Sequence, residues 1–137
     1  MQSFRCDGSW SFASGIGLEI YDAHLGMNLI VLNIYGPYLN RVPFWNDLLS
    51  KSFISIRKVI LGGDLNLSLG CVEVWGPRAV PDSLAPFFSN AFSCHDLLDI
   101  APIKLSPTWR NKRTGENWVQ IDWTYLCSGC RHTSVGL

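Results

Sequence analysis

Apolar positions in this chain fall into short, cleanly bounded runs separated by glycine, proline and polar clusters. Ile16, Leu18 and Ile20 alternate with Gly17, Glu19 and Tyr21, the period of a strand with one covered face, and follow a Gly- and Ser-rich start. Asn28 to Pro37 is nearly continuous in apolar residues through Ile34 and stops at Gly36 and Pro37, as a strand buried on both faces would. Asn33 and Tyr35 emerge at its C-terminal end with the same parity, so amide and phenol share a side. Pro43 suits the first residue of a helix, and Trp45, Leu48, Leu49 and Ser52 share one face, so 43–53 should cover a sheet. A short strand, Val59 to Leu61, follows. After a loop from Gly70 to Pro81, Asp82 caps a helix whose Leu84, Phe87, Phe88, Ala91 and Phe92 recur at helical spacing and read as core. Asp96 to Ile100 turns into a further strand with acids that cap or face water. Pro107, Thr108 and Trp109 open another, 111–117 is a polar hairpin turn around Gly115, and Trp118 to Cys127 runs back with Ile121 and Asp122 in mid-strand. Strands and helices in this order predict α/β layers in a single domain, 1–137.

Candidate chemistry gathers at Lys58 to Leu69, KVILGGDLNLSL. A buried strand ends abruptly at Gly62 and Gly63, and the next polar residues are Asp64 and Asn66. Two glycines before an acid permit left-handed backbone and close approach of another group. In an extended chain Asp64 and Asn66 would share one target, with Leu65 and Leu67 anchoring the other face. A carboxylate beside an amide can hold a water or a phosphate oxygen; it can equally form a solvated turn in which both side chains bond their own backbone. Asp122, flanked by Ile121 and Trp123, raises a separate question, because a mid-strand carboxylate costs desolvation unless hydrogen-bonded, and orienting a histidine is a frequent use of one.

Composition narrows the partners. The 137 residues carry 11 basic and 11 acidic side chains, so whole-molecule steering towards nucleic acid is not indicated. Charge is nevertheless uneven: Lys104, Arg110, Lys112 and Arg113 gather in one short segment, leaving a local phosphate-facing patch open. The longest apolar run, Leu29 to Leu32, is far too short to span a bilayer, and the start has no apolar leader-like stretch, so no membrane partner is indicated. The 5 cysteines are an odd number without framework spacing, which favours reduced thiols in an intracellular compartment. Cys127 and Cys130 form CxxC, but Cys94, His95 and His132 stand at no recognised zinc spacing, so no metal ligand is assigned.

With these stretches placed, the chain resembles the endonuclease/exonuclease/phosphatase family, and within it the endonuclease domain of LINE-type non-LTR retrotransposons, particularly plant ones. The resemblance runs from about Gly15 to Leu126. It rests on NIYGP at Asn33 to Pro37, GGDLN at Gly62 to Asn66, DLLDI at Asp96 to Ile100, PTW at Pro107 to Trp109 and QID at Gln120 to Asp122. It implies a four-layer α/β sandwich of two packed mixed sheets flanked by helices, and Mg²⁺-dependent cleavage of phosphodiesters in DNA. On this chain Tyr35 would contact the scissile phosphate, Asp64 would align or deprotonate the attacking water, Asn66 would hold that water or a phosphate oxygen, and Asp122 would orient the catalytic histidine. Thr108 and Trp109 would support a DNA-facing loop, with Arg110, Lys112 and Arg113 near the backbone. Within an intracellular location the same resemblance allows the nucleus, and no small-molecule cofactor is expected.

The departures are as specific. The family's early strands, with an Asn and the metal-binding Glu, have no counterpart before Ile16, and its final Ser-Asp-His strand none after Asp122; His132 lacks that context. Gln120 and Trp123 stand where close plant relatives carry arginines. The resemblance therefore implies an incomplete domain lacking the family's first and last strands, with impaired catalysis. The alternatives are a non-catalytic nucleic-acid or phosphate-binding module, and an active endonuclease whose missing segments belong to a longer gene.

Overall fold

In the computed structural model the described residues are 3–77, 80–100, 103–110, 118–119 and 122–127. Nine strands and three helices follow in order: β1 Phe4–Phe12, β2 Gly15–Asp22, β3 Met27–Tyr35, α1 Arg41–Leu49, α2 Ser52–Ile56, β4 Val59–Asp64, β5 Val74–Trp75, α3 Ala85–Cys94, β6 Leu97–Asp99, β7 Trp109–Arg110, β8 Trp118–Val119 and β9 Asp122–Cys127. Six strands form one mixed sheet in the order β1-β2-β3-β4-β9-β6, and β5-β8-β7 form a small second one. The α/β class read from the sequence is the class observed.

The large sheet buries one face under the helices. Ile30, Leu32 and Ile34 of β3, Val59 and Leu61 of β4, and Tyr125 of β9 share that face with Trp45, Leu48, Ile54, Phe88 and Phe92. Trp45, fully buried, is the hub: its ring meets Phe44, Phe88 and Phe92 edge-on at centroid distances of 5.4, 6.2 and 5.3 Å. The Leu84, Phe87, Phe88, Ala91 and Phe92 stripe lies in or against this core, as its spacing required.

Several local expectations are corrected. The Gly- and Ser-rich start is not a lead-in but β1, an exposed edge strand with a register shift between Cys6 and Gly8. Phe4, Cys6, Trp10 and Phe12 alternate along it, but the shift interrupts their period; bulges of this kind discourage an edge from pairing with another chain. Trp10 supplies its anchor, crossing Gly17 so closely that a Cβ there would lie 2.3 Å from the indole. The 43–53 helix is two: Pro43 sits in the first turn of α1 rather than opening it, and the Ser50 hydroxyl donates to the Asp47 carbonyl at 2.7 Å where α1 ends. Ser52 is exposed at the start of α2. Asp82 precedes α3 as expected, but the helix cap position is Leu84, whose N–H the Asp82 carboxylate accepts at 2.9 Å. The run from Trp118 to Cys127 divides between the two sheets, so Asp122 begins β9 instead of lying in mid-strand.

Candidate functional site

The site is set by register. Strands β3 and β4 run parallel and end together, with Tyr35 paired to Asp64, and antiparallel β9 starts beside them with Asp122 paired to Asp64. Tyr35, Asp64 and Asp122 therefore occupy one row across three adjacent strands. Asn33, Gly62 and Thr124 form the next row on the same parity. Three of the sequence-predicted residues thus meet at one strand edge; the Asp122 side chain lies outside the described atoms.

Glycine makes the row possible. Gly63 has φ +122°, and a Cβ there would stand 2.3 Å from the Ile34 carbonyl oxygen and 2.6 Å from Asn33 Oδ1. Only glycine lets the end of β4 close on β3 in that conformation. Gly36 plays the matching part after β3: its N–H donates to the Asp64 carbonyl at 2.6 Å, and a Cβ would sit 2.1 Å from the Leu65 carbonyl oxygen. The two strand exits are laced together by main chain.

Asn66 is used differently from the expectation of a shared target. Strand geometry ends at Asp64, and Asn66 turns into the left-handed region at φ 51°. Asparagine is among the few residues that adopt that region readily. Its side chain is buried, and its amide nitrogen donates to the Gly36 carbonyl. Its own N–H donates to Asp64 Oδ1 at 3.2 Å. The carboxylate thus bonds its own backbone two residues on, as in an Asx turn, while Asn66 braces the two exits from below.

Arg41 completes the brace and was not anticipated; nothing in sequence distinguishes it from any basic residue at a helix start. Its guanidinium holds Asp82 through two bonds of 2.6 and 2.8 Å and donates to the Asn66 carbonyl at 3.2 Å. It also lies over the Phe88 ring at 5.4 Å. Burial alone would raise the Asp82 pKa, but Arg41 and the Leu84 N–H favour the carboxylate and hold it below the usual range.

On the solvent side, Tyr35 and Tyr38 are exposed. A hydrogen bond to Tyr35 raises the Tyr38 pKa, with some desolvation and the negative charge of Asp64 adding to it. Next to them opens a cleft of about 510 Å³ between 11–16 and the Asn33, Ile34, Tyr35 and Asp64 positions. Its mouth offers a phenol, a carboxylate and hydroxyls, a set able to meet a phosphate ester by hydrogen bonds.

The described side chains do not by themselves make a Mg²⁺ site. Among the described residues no group of three or more His, Cys, Asp or Glu side chains stands together. Asp64 already accepts the Asn66 N–H through one oxygen, and the Asn66 amide faces away. Mg²⁺ demands a near-ideal octahedron of oxygens, and no step is derived through it.

Thr108 is exposed, and Trp109 and Arg110 form β7, with Arg110 opposite Trp118 and Trp109 opposite Val119. Their side chains, the hairpin turn with Lys112 and Arg113, and Cys130 and His132 lie outside the described residues. Cys6, Cys71 and Cys94 are exposed free thiols. A second titratable group was missed: burial raises the pKa of Tyr125, helped by the charges of Asp99 and Glu73, and burial likewise raises Glu73 against the N–H groups of Leu69 and Gly70. It lies on the helix-covered face, away from the Tyr35 row.

Among the described residues no helix is long and apolar enough to cross a membrane. No protein-family model and no curated protein sequence matches the chain. Among solved structures it is similar to the endonuclease domain of TRAS1, a telomere-specific non-LTR retrotransposon, with a TM-score of 0.52 at 14% identity, over 93% of this chain and 68% of that one. At that identity the likeness concerns architecture, and the mixed six-stranded sheet with its helices has the α/β fold of an endonuclease domain.

Proposed function

We propose that this chain descends from a Mg²⁺-dependent DNA endonuclease domain of the retrotransposon type, in the endonuclease/exonuclease/phosphatase family, and that it retains the phosphate-facing half of the site with impaired chemistry. The observation that carries the reading is the single register row of Tyr35, Asp64 and Asp122, of which Tyr35 and Asp64 line the cleft. Tyr35 donates from its phenol to a phosphate oxygen, and Asp64 takes a proton from water. The fold likeness to a retrotransposon endonuclease domain supports the same class.

Impairment follows from the donor set. General acid or base assistance contributes about 10² to 10⁴ in rate, and a metal ion adds several kcal/mol of charge stabilisation. A site with one described carboxylate, itself bonded to backbone, supplies little of the second. DNA binding then rests on phosphate contacts near Thr108, Trp109, Arg110, Lys112 and Arg113. The deciding experiment is nicking of supercoiled plasmid by the purified chain with Mg²⁺. Background-level cleavage is expected; cleavage abolished by chelator and by Asp64→Ala would show a complete site and sink the impaired reading.

A further inference from the structure

The segment that leaves β3, residues 36–41, is pinned at both ends and carries large side chains into solvent. At its start Gly36 is held through both main-chain groups, its N–H donating to the Asp64 carbonyl and its carbonyl accepting the Asn66 amide. At its end the Arg41 guanidinium is fixed on Asp82 and on the Asn66 carbonyl. Pro37 fixes a further backbone angle between them. On this stiff bridge Tyr38 is 63% and Leu39 80% exposed, and Tyr35 at the adjoining strand end is 57% exposed. The Tyr38 phenol is hydrogen-bonded to that of Tyr35 and feels the charge of Asp64, so it stands at the polar edge of the sheet. Rigidly held loops of this kind, beside a candidate site, are where binding residues concentrate.

We propose that Tyr38 is a stacking platform for an unpaired nucleobase, so that this edge takes single-stranded or locally opened DNA. The proposal rests on the endonuclease-type reading above: Tyr35 meets the phosphate, and Tyr38, bonded to it, carries a base next to that phosphate. Two arguments select a base as the occupant. The first is charge. Asp64 pairs in register with a second acid, Asp122, and Arg41, the one basic residue of the segment, is already held by Asp82 and the Asn66 carbonyl. Arg57 and Lys58 precede β4, at the end of that strand remote from Asp64. Attraction for a further phosphate is therefore weak at Tyr38, and the contact has to come from an uncharged face. Every base offers one, and it can stack on an aromatic side chain when it is not paired in a duplex. The second is size. A protein interface takes about 20–30 residues a side, whereas Tyr38 and Leu39 match a single base and its sugar.

Fluorescence anisotropy with labelled oligonucleotides of equal length tests this: an oligothymidylate, a strand whose bases are replaced by abasic spacers, and a duplex. Titration to about 1 mM reaches contacts as weak as non-specific DNA binding. The oligothymidylate should bind about fivefold or more tighter than the abasic strand. Tyr38→Ser should bring it down to the abasic level and leave duplex binding unchanged, whereas Tyr38→Phe, which keeps the ring, should retain the preference. Circular dichroism checks that each variant folds. Both single strands carry the same phosphates, so raising salt from about 50 to about 200 mM should weaken both and leave their ratio in place. Equal affinity for the two strands, or a preference that Tyr38→Ser leaves intact, overturns the platform, while phosphate binding by both strands keeps the endonuclease-type reading standing. A preference lost equally in Tyr38→Phe assigns the contact to the hydroxyl and also overturns it. Failure of every strand to bind overturns both readings.

Discussion

Replacing Arg41 with methionine tests how the candidate site is held. The Arg41 and Asp82 side chains are 17% and 12% exposed, so the pair is largely removed from water. Methionine keeps the apolar stem over Phe88 and strands the Asp82 carboxylate. Removing one partner of a buried pair costs about 3 kcal/mol or more, and the Asn66 carbonyl loses a donor as well. For 137 residues an unfolding entropy of about 2.1 cal/mol/K per residue converts 3 kcal/mol into roughly 10 °C in Tm. In urea, with a slope of about 2 kcal/mol/M, the midpoint should fall by about 1.5 M. Arg41→Met/Asp82→Leu should recover much of the loss, retaining about 1 kcal/mol from the unanswered Leu84 N–H. The pH dependence has a definite sign. The folded Asp82 pKa is lowered, so its contribution is present above the unfolded value of about 3.9 and is lost as pH falls through the folded one. Wild type and Arg41→Met should therefore converge in acid. A midpoint shift worth under about 0.5 kcal/mol, the range of an exposed ion pair, or a double variant that sums both losses, would refute the clamp.

Three further outcomes follow. Gly63→Ala, at φ +122° and 2.3 Å from the Ile34 oxygen, should destabilise by about 3 kcal/mol or more, read by urea unfolding; a neutral result would mean the strand exits are not closed as described. Glu73→Gln should stabilise the fold more at neutral than at acid pH. The raised folded pKa means ionised Glu73 weighs against the native state above it, so unfolding curves that keep the same difference at both pH values would contradict this. In alkaline absorbance titration Tyr125 should not ionise before the protein unfolds, and Tyr125→Phe should leave the native-state amplitude unchanged.

How much of this could be read from residues alone differs by element for physical reasons. β3, β4 and the α3 stripe were legible because each buries a continuous or periodic apolar set, and burial writes itself into sequence. β1 was not, although Phe4, Cys6, Trp10 and Phe12 alternate along it, because the register shift between Cys6 and Gly8 breaks the period and its anchors, Trp10 on Gly17 and Phe53 and Phe12 on the core, are set by the fold. The GGDLN stretch announced a strand end with an acid, and Tyr35 was placed on the correct parity. The direction of Asn66 was not predictable, since it depends on one residue leaving strand geometry for φ 51°. Arg41 was invisible for a related reason: its partners, Asp82 and Asn66, are distant in sequence and only the fold brings them together.

The same register that gathers the site also explains what kind of site it is. Rows on one face of a sheet are fixed together, so placing Tyr35 opposite Asp64 also places Val31 opposite Ile60. The polar row at the strand ends and the apolar band behind it, Leu18, Val31, Ile60 and Leu126, are one surface. A layer seated on the band would therefore border the cleft and could add groups to it, whereas the described chain alone presents the Tyr35 row from one side. An apolar band of this kind is costly to leave in water, at about 25 cal/mol per Å². Its coverage and the chemistry of the Asp64 edge are consequently linked: Ile60→Asp, in a variant shown by circular dichroism to fold, should weaken DNA binding because a second layer seated on the band contributes to the cleft, and an unchanged affinity would mean that Tyr35 and Asp64 act from this sheet alone.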